Sequence, residues 1–208
     1  MINSEKMTVA CLDFEGVLIP EIWEGLAKLT NIEDLRLTTR DIPDYSKLME
    51  HRLKICNNFN LTLKDIHKVV QKMEPLEGAL DFLCWLRKRT EVVILSDTFR
   101  EFLAPFPYKL QLPTIFCHSL KLDKNLRIID YCLRQLDQKK NAVKAIKSLN
   151  FHTVAIGDSF NDLGMLFEAD HGIFFRPKKK IVEDYPQFPV AYEFNSLKSI
   201  LDGNCKIY

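Results

Sequence analysis

Three short apolar runs constrain this chain more than any other feature. Residues 8–12 (Thr8-Val9-Ala10-Cys11-Leu12), 92–95 (Val92-Val93-Ile94-Leu95) and 153–156 (Thr153-Val154-Ala155-Ile156) are rich in β-branched residues and unbroken by charge. A strand with one wet face would alternate, so these runs read as strands of a parallel sheet buried on both faces. Each run ends in polar residues: Asp13-Phe14-Glu15-Gly16, Ser96-Asp97-Thr98 and Gly157-Asp158-Ser159-Phe160-Asn161-Asp162. A fourth polar cluster, Asp137-Gln138-Lys139-Lys140, opens a helix. Ligands of parallel sheets bind at the carboxyl edge of the strands. The four clusters therefore point to one place.

The first cluster sets a problem of its own. Asp13 and Glu15 are two residues apart and face the same way on an extended chain. Two bare carboxylates repel, so a bound cation or a raised pKa must compensate. A nucleophilic carboxylate beside an acid/base carboxylate, over a divalent metal, uses both groups. Taken alone, the segment fits a solvated acidic turn equally well.

The stretch from Asp13 to Val92 is too long for one crossover helix. Helical periodicity recurs at 21–29, 45–57 and 63–73, with Thr62 and Asp65 placed as a helix start. Pro75-Leu76-Glu77-Gly78 punctuates, and 79–89 returns as a helix. The spacing predicts an α/β fold: a Rossmann-like three-layer core with a mainly parallel sheet from 1–19 and 75–208. A small helical cap, 20–74, is inserted after the first strand. Such a lid excludes water and holds the non-reacting end of a substrate. A β-hairpin is expected within 121–135, a strand at 172–175 and a closing helix from Phe194.

The remaining properties mostly exclude. A chain of 208 residues, 47% hydrophobic, suffices for one core domain plus an insertion. Lys+Arg 29 against Asp+Glu 28 leaves no basic surplus, so neither nucleic acid nor an anionic membrane is an expected partner. Cys11, Cys56, Cys84, Cys117, Cys132 and Cys205 form no CxxC pair, which argues against a zinc knuckle or dithiol site. Several lie in apolar runs, as reduced thiols of a cytoplasmic protein do. No run approaches the roughly 18 apolar residues of a membrane span. The five histidines show no ligand spacing. Trp23, Trp85 and Phe14 read as core, and Lys178-Lys179-Lys180 as a solvated helix start. Nothing in the sequence assigns an oligomeric state.

The order Asp13-x-Glu15-Gly16, Ser96, Lys139, Gly157-Asp158-x-x-x-Asp162 resembles the four-motif signature of the haloacid dehalogenase superfamily of phosphoryl-transfer enzymes. Residues 10–18, 20–23, 38–45 and 95–99 are similar to one branch of it, the bifunctional phosphoserine phosphatase/homoserine phosphotransferases. The resemblance runs from about Met7 to Leu201. Glu15 stands where the superfamily usually has Asp, and Val17 where Thr is common; both departures are shared with that branch.

The resemblance implies a set of roles. Asp13 is the nucleophile and becomes an aspartyl phosphate; Glu15 protonates the leaving oxygen and then serves as base. Mg²⁺ is held by Asp13, the Glu15 backbone carbonyl and Asp158, with Asp162 behind it or orienting a metal-bound water. Ser96 bonds a phosphate oxygen, with Asp97 beside it on the substrate. Lys139, rather than Lys140, neutralises the phosphoryl charge and keeps Asp13 ionised. Asn161 helps hold phosphate or substrate. Glu21 and Arg52 take the ammonium and carboxylate of phosphoserine or homoserine, the expected small-molecule substrates. Other readings stay open: Arg52 as a surface partner of Glu50, another small phosphomonoester as substrate, or a non-catalytic receiver-like phosphate-binding module. The last has no use for Glu15 or for the helical insertion.

Overall fold

Thr8–Leu12 (β1) is buried at every position because it lies mid-sheet. The computed structural model describes residues 6–39, 41–42, 44–103, 106–111, 113–205 and 207. Residues 1–5, and Arg40 and Pro43 of the motif at 38–45, lie outside the described residues. After β1 come three helices, Ile22–Thr30 (α1), Tyr45–Asn58 (α2) and Leu63–Val70 (α3). Asp44 caps α2 by accepting from the Ser46 and Lys47 amides. Thr62 and Asp65 form a reciprocal capping box on α3. The chain then returns through Ala79–Arg87 (α4) to Glu91–Phe99 (β2).

The rest of the chain runs Phe106–Lys109 (α5), Thr114–Leu122 (β3), Ile128–Cys132 (β4), Gln138–Ser148 (α6), His152–Gly157 (β5) and Leu163–Glu168 (α7). His171–Phe175 (β6), Lys179–Asp184 (α8), Val190–Ala191 (β7) and Phe194–Asn204 (α9) complete it. Among the described residues the strands form a seven-stranded sheet, ordered β4-β3-β2-β1-β5-β6-β7. Only β4 is antiparallel to its neighbour. Alternate residues of β1 serve the two faces. Ala10 and Leu12 join one apolar cluster with α4, α9 and the inserted helices, while Val9 and Cys11 join another with α6 and α7. The three-layer core follows from that double burial. No helix of the described residues is long and apolar enough to cross a membrane.

Strand order reverses at β1, with β2 on one side and β5 on the other, which opens a crevice at their carboxyl ends. Leu12 pairs with both Ile94 and Ile156, and the Asp13 amide extends the pairing to the Ile156 carbonyl at 2.8 Å.

The sequence expectations differ from the fold at strand ends. β2 does not stop at Leu95 but continues to Phe99, with a register shift against β3 between those residues. Such an irregularity re-aims side chains, and it lets both Ser96 and Asp97 line the crevice. The hairpin expected at 121–135 is present, yet its first strand begins at Thr114. That strand pairs parallel with β2 before turning antiparallel to β4. Its polar His118, Ser119 and Lys121 conceal it, because an edge-side strand need not be apolar.

Candidate active site

The turn after β1 is built on Gly16. Its φ of +80° lies in the left-handed region, and a Cβ there would come within 2.5 Å of Asp158 Oδ2. Phe14 is buried edge-on to Phe106 at 5.5 Å, so it turns away from the crevice while Asp13 and Glu15 line it. Across the crevice, Gly157 leaves room for Asp162, which would otherwise meet a Cβ at 2.4 Å. Asp162 Oδ2 accepts from the Asp158 and Ser159 amides at 2.9 and 3.0 Å, fixing the loop after β5.

Lys139 sits in the first turn of α6, buried, and meets carboxylates from three directions. Its Nζ lies 2.8 Å from Asp13 Oδ1, 2.7 Å from Asp162 Oδ1 and 3.6 Å from Asp97 Oδ2. Burial opposes its charge, but the three carboxylates outweigh burial and raise its pKa. Lys140 is exposed, as the choice between the two lysines required. Burial and the neighbouring Asp162 push the Asp13 carboxyl well up, with Lys139 pulling it down.

That imbalance tests the fit of a cation. Asp13, Asp158 and Asp162 bring carboxylate oxygens within 4.8 Å of one another, all buried. One lysine among them leaves negative charge uncompensated. An all-oxygen donor set of this kind suits a hard divalent ion such as Mg²⁺.

Glu15 has a different environment. Its Oε2 accepts from the Ile22 amide at 2.9 Å, at the start of α1. Burial, and then the nearby Glu21, push its carboxyl up to about 8. A carboxylic acid that keeps its proton at neutral pH is what leaving-group protonation needs.

The inserted helices close the far side. Arg52 on α2 is 6% exposed and its guanidinium lies 4.5 Å over the Trp23 ring, which rules out the surface partner of Glu50. Arg52 donates to the Leu37 carbonyl at 2.9 Å, and its buried Nε has no hydrogen-bond partner among the described residues. Glu21, Trp23, Thr39, Tyr45 and Arg52 line the same cleft as Asp13, Ser96, Lys139, Asp158 and Asn161. All the residues singled out from the sequence thus converge, except that Asp162 lies fully buried behind Lys139 and Asp158.

Three residues of the site had no role assigned from the sequence, although Gln138 and Tyr45 lie in stretches singled out there. His118 is buried on β3 with Nε2 3.4 Å from Asp97 Oδ1, and Gln138 Nε2 donates to the same oxygen at 3.1 Å. Tyr45 donates its hydroxyl to the Asp97 carbonyl at 2.8 Å. The motif at 38–45 includes Tyr45; His118 carries no local signal, because polar residues interrupt the apolar pattern of its strand.

Comparison with known proteins agrees with this geometry. Residues 23–166 match the family described as haloacid dehalogenase-like hydrolase. A phosphoserine phosphatase of Pseudomonas syringae pv. tomato is 51% identical over 190 residues, covering 91% of this chain and 80% of the relative. The phosphoserine phosphatase ThrH of Pseudomonas aeruginosa is 49% identical over 192 residues, 92% of this chain and 94% of the relative. Among solved structures, a phosphoserine phosphatase in apo form matches with a TM-score of 0.76 at 22% identity, covering 95% of this chain and 99% of that one. A phospho-aspartyl intermediate analogue of phosphoserine phosphatase matches with a TM-score of 0.74 at 21% identity, over 95% and 99%. The last two likenesses concern the fold.

Proposed function

The chain belongs to the haloacid dehalogenase-like hydrolases, and on that premise we propose that it is a Mg²⁺-dependent phosphoserine phosphatase acting through an aspartyl phosphate on Asp13. Transfer of the phosphoryl group to homoserine is its second activity. The observation that carries this reading is the buried Asp13–Lys139 contact in the same cleft as Glu15, an acid pushed up to about 8. The two relatives named phosphoserine phosphatase, one of them ThrH, support the substrate.

The Phe14 amide at 2.7 Å and Lys139 at 2.8 Å both hold Asp13 Oδ1, which fixes the carboxylate plane and leaves Oδ2 to attack phosphorus. The bond from phosphorus to the serine oxygen breaks as Glu15 delivers its proton to that oxygen. Glu15 then takes the proton of an incoming water, or of the homoserine hydroxyl, as that oxygen attacks the aspartyl phosphate. Lys139 and Ser96 bind phosphoryl oxygens, with Asn161 beside them. A bound Mg²⁺, held by Asp13, Asp158 and the Glu15 carbonyl, would supply charge neutralisation at the phosphoryl group.

Glu21 pairs with the substrate ammonium and Arg52 with its carboxylate, and the Nε of Arg52, without a hydrogen-bond partner among the described residues, supports the second pairing. The segment 20–74 acts as the cap, over a core of 1–19 and 75–208. Its apolar residues share one cluster with the sheet, which supports a closely seated lid. The described cysteines are free, in keeping with a cytoplasmic setting. A receiver-like module has no use for an acid at Glu15.

Release of inorganic phosphate from L-phosphoserine, set against other small phosphomonoesters and repeated with homoserine, tests the reading. Preferred hydrolysis of phosphoserine, with phosphohomoserine formed when homoserine is added, is expected. Preference for another ester overturns the substrate. A phosphate-to-serine ratio that stays at one with homoserine present overturns the second activity.

A further inference from the structure

The cleft contains one carboxylate that the reaction above leaves without a task. Asp97 lines it, yet both its oxygens are already engaged by the protein. Oδ1 takes Gln138 Nε2 at 3.1 Å and faces His118 Nε2 at 3.4 Å. Oδ2 takes Asn161 Nδ2 at 2.9 Å and faces Lys139 Nζ at 3.6 Å. Burial opposes its ionisation, but Lys139 and the donors outweigh burial and hold the carboxyl below its usual range. A committed anion is a poor ligand for a phosphate dianion.

We propose that Asp97 is a positioning residue, which aims Lys139 and Asn161 at the phosphoryl group and ties that aim to docking of the inserted helices. The proposal rests on the phosphoryl-transfer reading and goes beyond it. An ammonium has three N–H donors. Two of Lys139's serve Asp13 and Asp162 at 2.8 and 2.7 Å. The third faces Asp97 at a distance too long for a full hydrogen bond. It is oriented without being spent, so an arriving phosphate oxygen takes it over with little reorganisation.

The inserted segment reaches the same node twice. Tyr45, at the start of α2, donates to the Asp97 carbonyl at 2.8 Å. Thr39 Oγ1 donates to Asn161 Oδ1 at 3.3 Å, and that amide donates in turn to Asp97. Lifting the inserted helices away removes the Tyr45 and Thr39 supports together. Phosphate affinity and docking of the segment are then one property, and Asp97 is where they meet.

Titration calorimetry of the full chain with inorganic phosphate, in the presence of Mg²⁺, tests this without relying on turnover. Asp97→Asn removes the charge, and its amide keeps an oxygen toward Lys139 and Asn161 only by turning N–H donors onto Gln138 Nε2 and His118 Nε2, so phosphate affinity falls by about tenfold, the scale of one charge-assisted contact. The KM values for phosphoserine and for an aryl phosphate rise by the same factor. Should that variant fail to fold, Tyr45→Phe removes one support only, and phosphate affinity still falls, by about threefold. Unchanged phosphate affinity in either folded variant overturns the proposal. So does a loss confined to phosphoserine, which would make Asp97 a ligand of the amino-acid end. A wild-type chain that binds no phosphate overturns it as well. A chain that binds phosphate but does not hydrolyse phosphoserine overturns only the substrate assignment.

Discussion

Lys139 Nζ lies 2.8 Å from Asp13 Oδ1, so one buried cation on the first turn of α6 pairs with the carboxylate just past β1. The same ammonium reaches Asp162 at 2.7 Å and thereby joins the loop after β5 to both. Removing one partner of a buried ion pair leaves the others uncompensated, at a cost of about 3–5 kcal/mol. Lys139→Ala is therefore expected to lose both turnover and several degrees of melting temperature, whereas Lys140→Ala, on the exposed side, changes neither by more than about twofold in rate. Steady-state kinetics and thermal melts on the two variants decide it, and equal effects would contradict the assignment of the inward lysine.

Glu15→Gln keeps an acceptor for the Ile22 amide but carries no transferable proton. The expected loss on phosphoserine is on the order of 10²–10⁴ in kcat. On a nitrophenyl phosphate, whose leaving group needs little protonation, the loss is much smaller. Equal losses on both substrates argue against an acid role.

Arg52→Ala removes a guanidinium that lies over the Trp23 ring in the cleft and is proposed to take the substrate carboxylate. The KM for phosphoserine is expected to rise, and that for an ester without a carboxylate to stay nearly constant. Kinetics on the pair of substrates separate this from a fold defect, which would lower the active fraction for both.

Gly16→Ala tests the turn. A side chain at φ +80° is strained, by roughly 1–2 kcal/mol, and its Cβ would collide with Asp158 Oδ2. Activity is expected to fall further than stability, because the collision displaces an oxygen proposed to hold the metal. A variant with wild-type turnover and wild-type Mg²⁺ dependence would contradict that placement.

Much of this was legible because local chemistry and fold agree. β1 and β5 announce themselves as apolar runs buried on both faces, and Gly157 with Asp162 marks the loop that follows. Asp13, Glu15, Asp158 and Lys139 could be found because each stands at a strand end or a helix start. What escaped depends on contacts distant in sequence. His118 reaches Asp97 because β3 runs beside β2 and pairs His118 with Phe99 past the register shift. Gln138 acts at a distance of 41 residues from Asp97, across the sheet edge. The prolongation of β2 through Phe99 depends on pairing with β3, which polar residues at 96–98 conceal.

The most direct test of the account is to trap the phosphorylated protein. The wild-type chain is mixed with labelled phosphoserine and Mg²⁺, quenched in acid, reduced with borohydride, digested and mapped by mass spectrometry. Attack by Asp13 predicts modification at Asp13 alone, and none in Asp13→Asn. Turnover of phosphoserine with no modification at Asp13, or with modification at another residue, would contradict it.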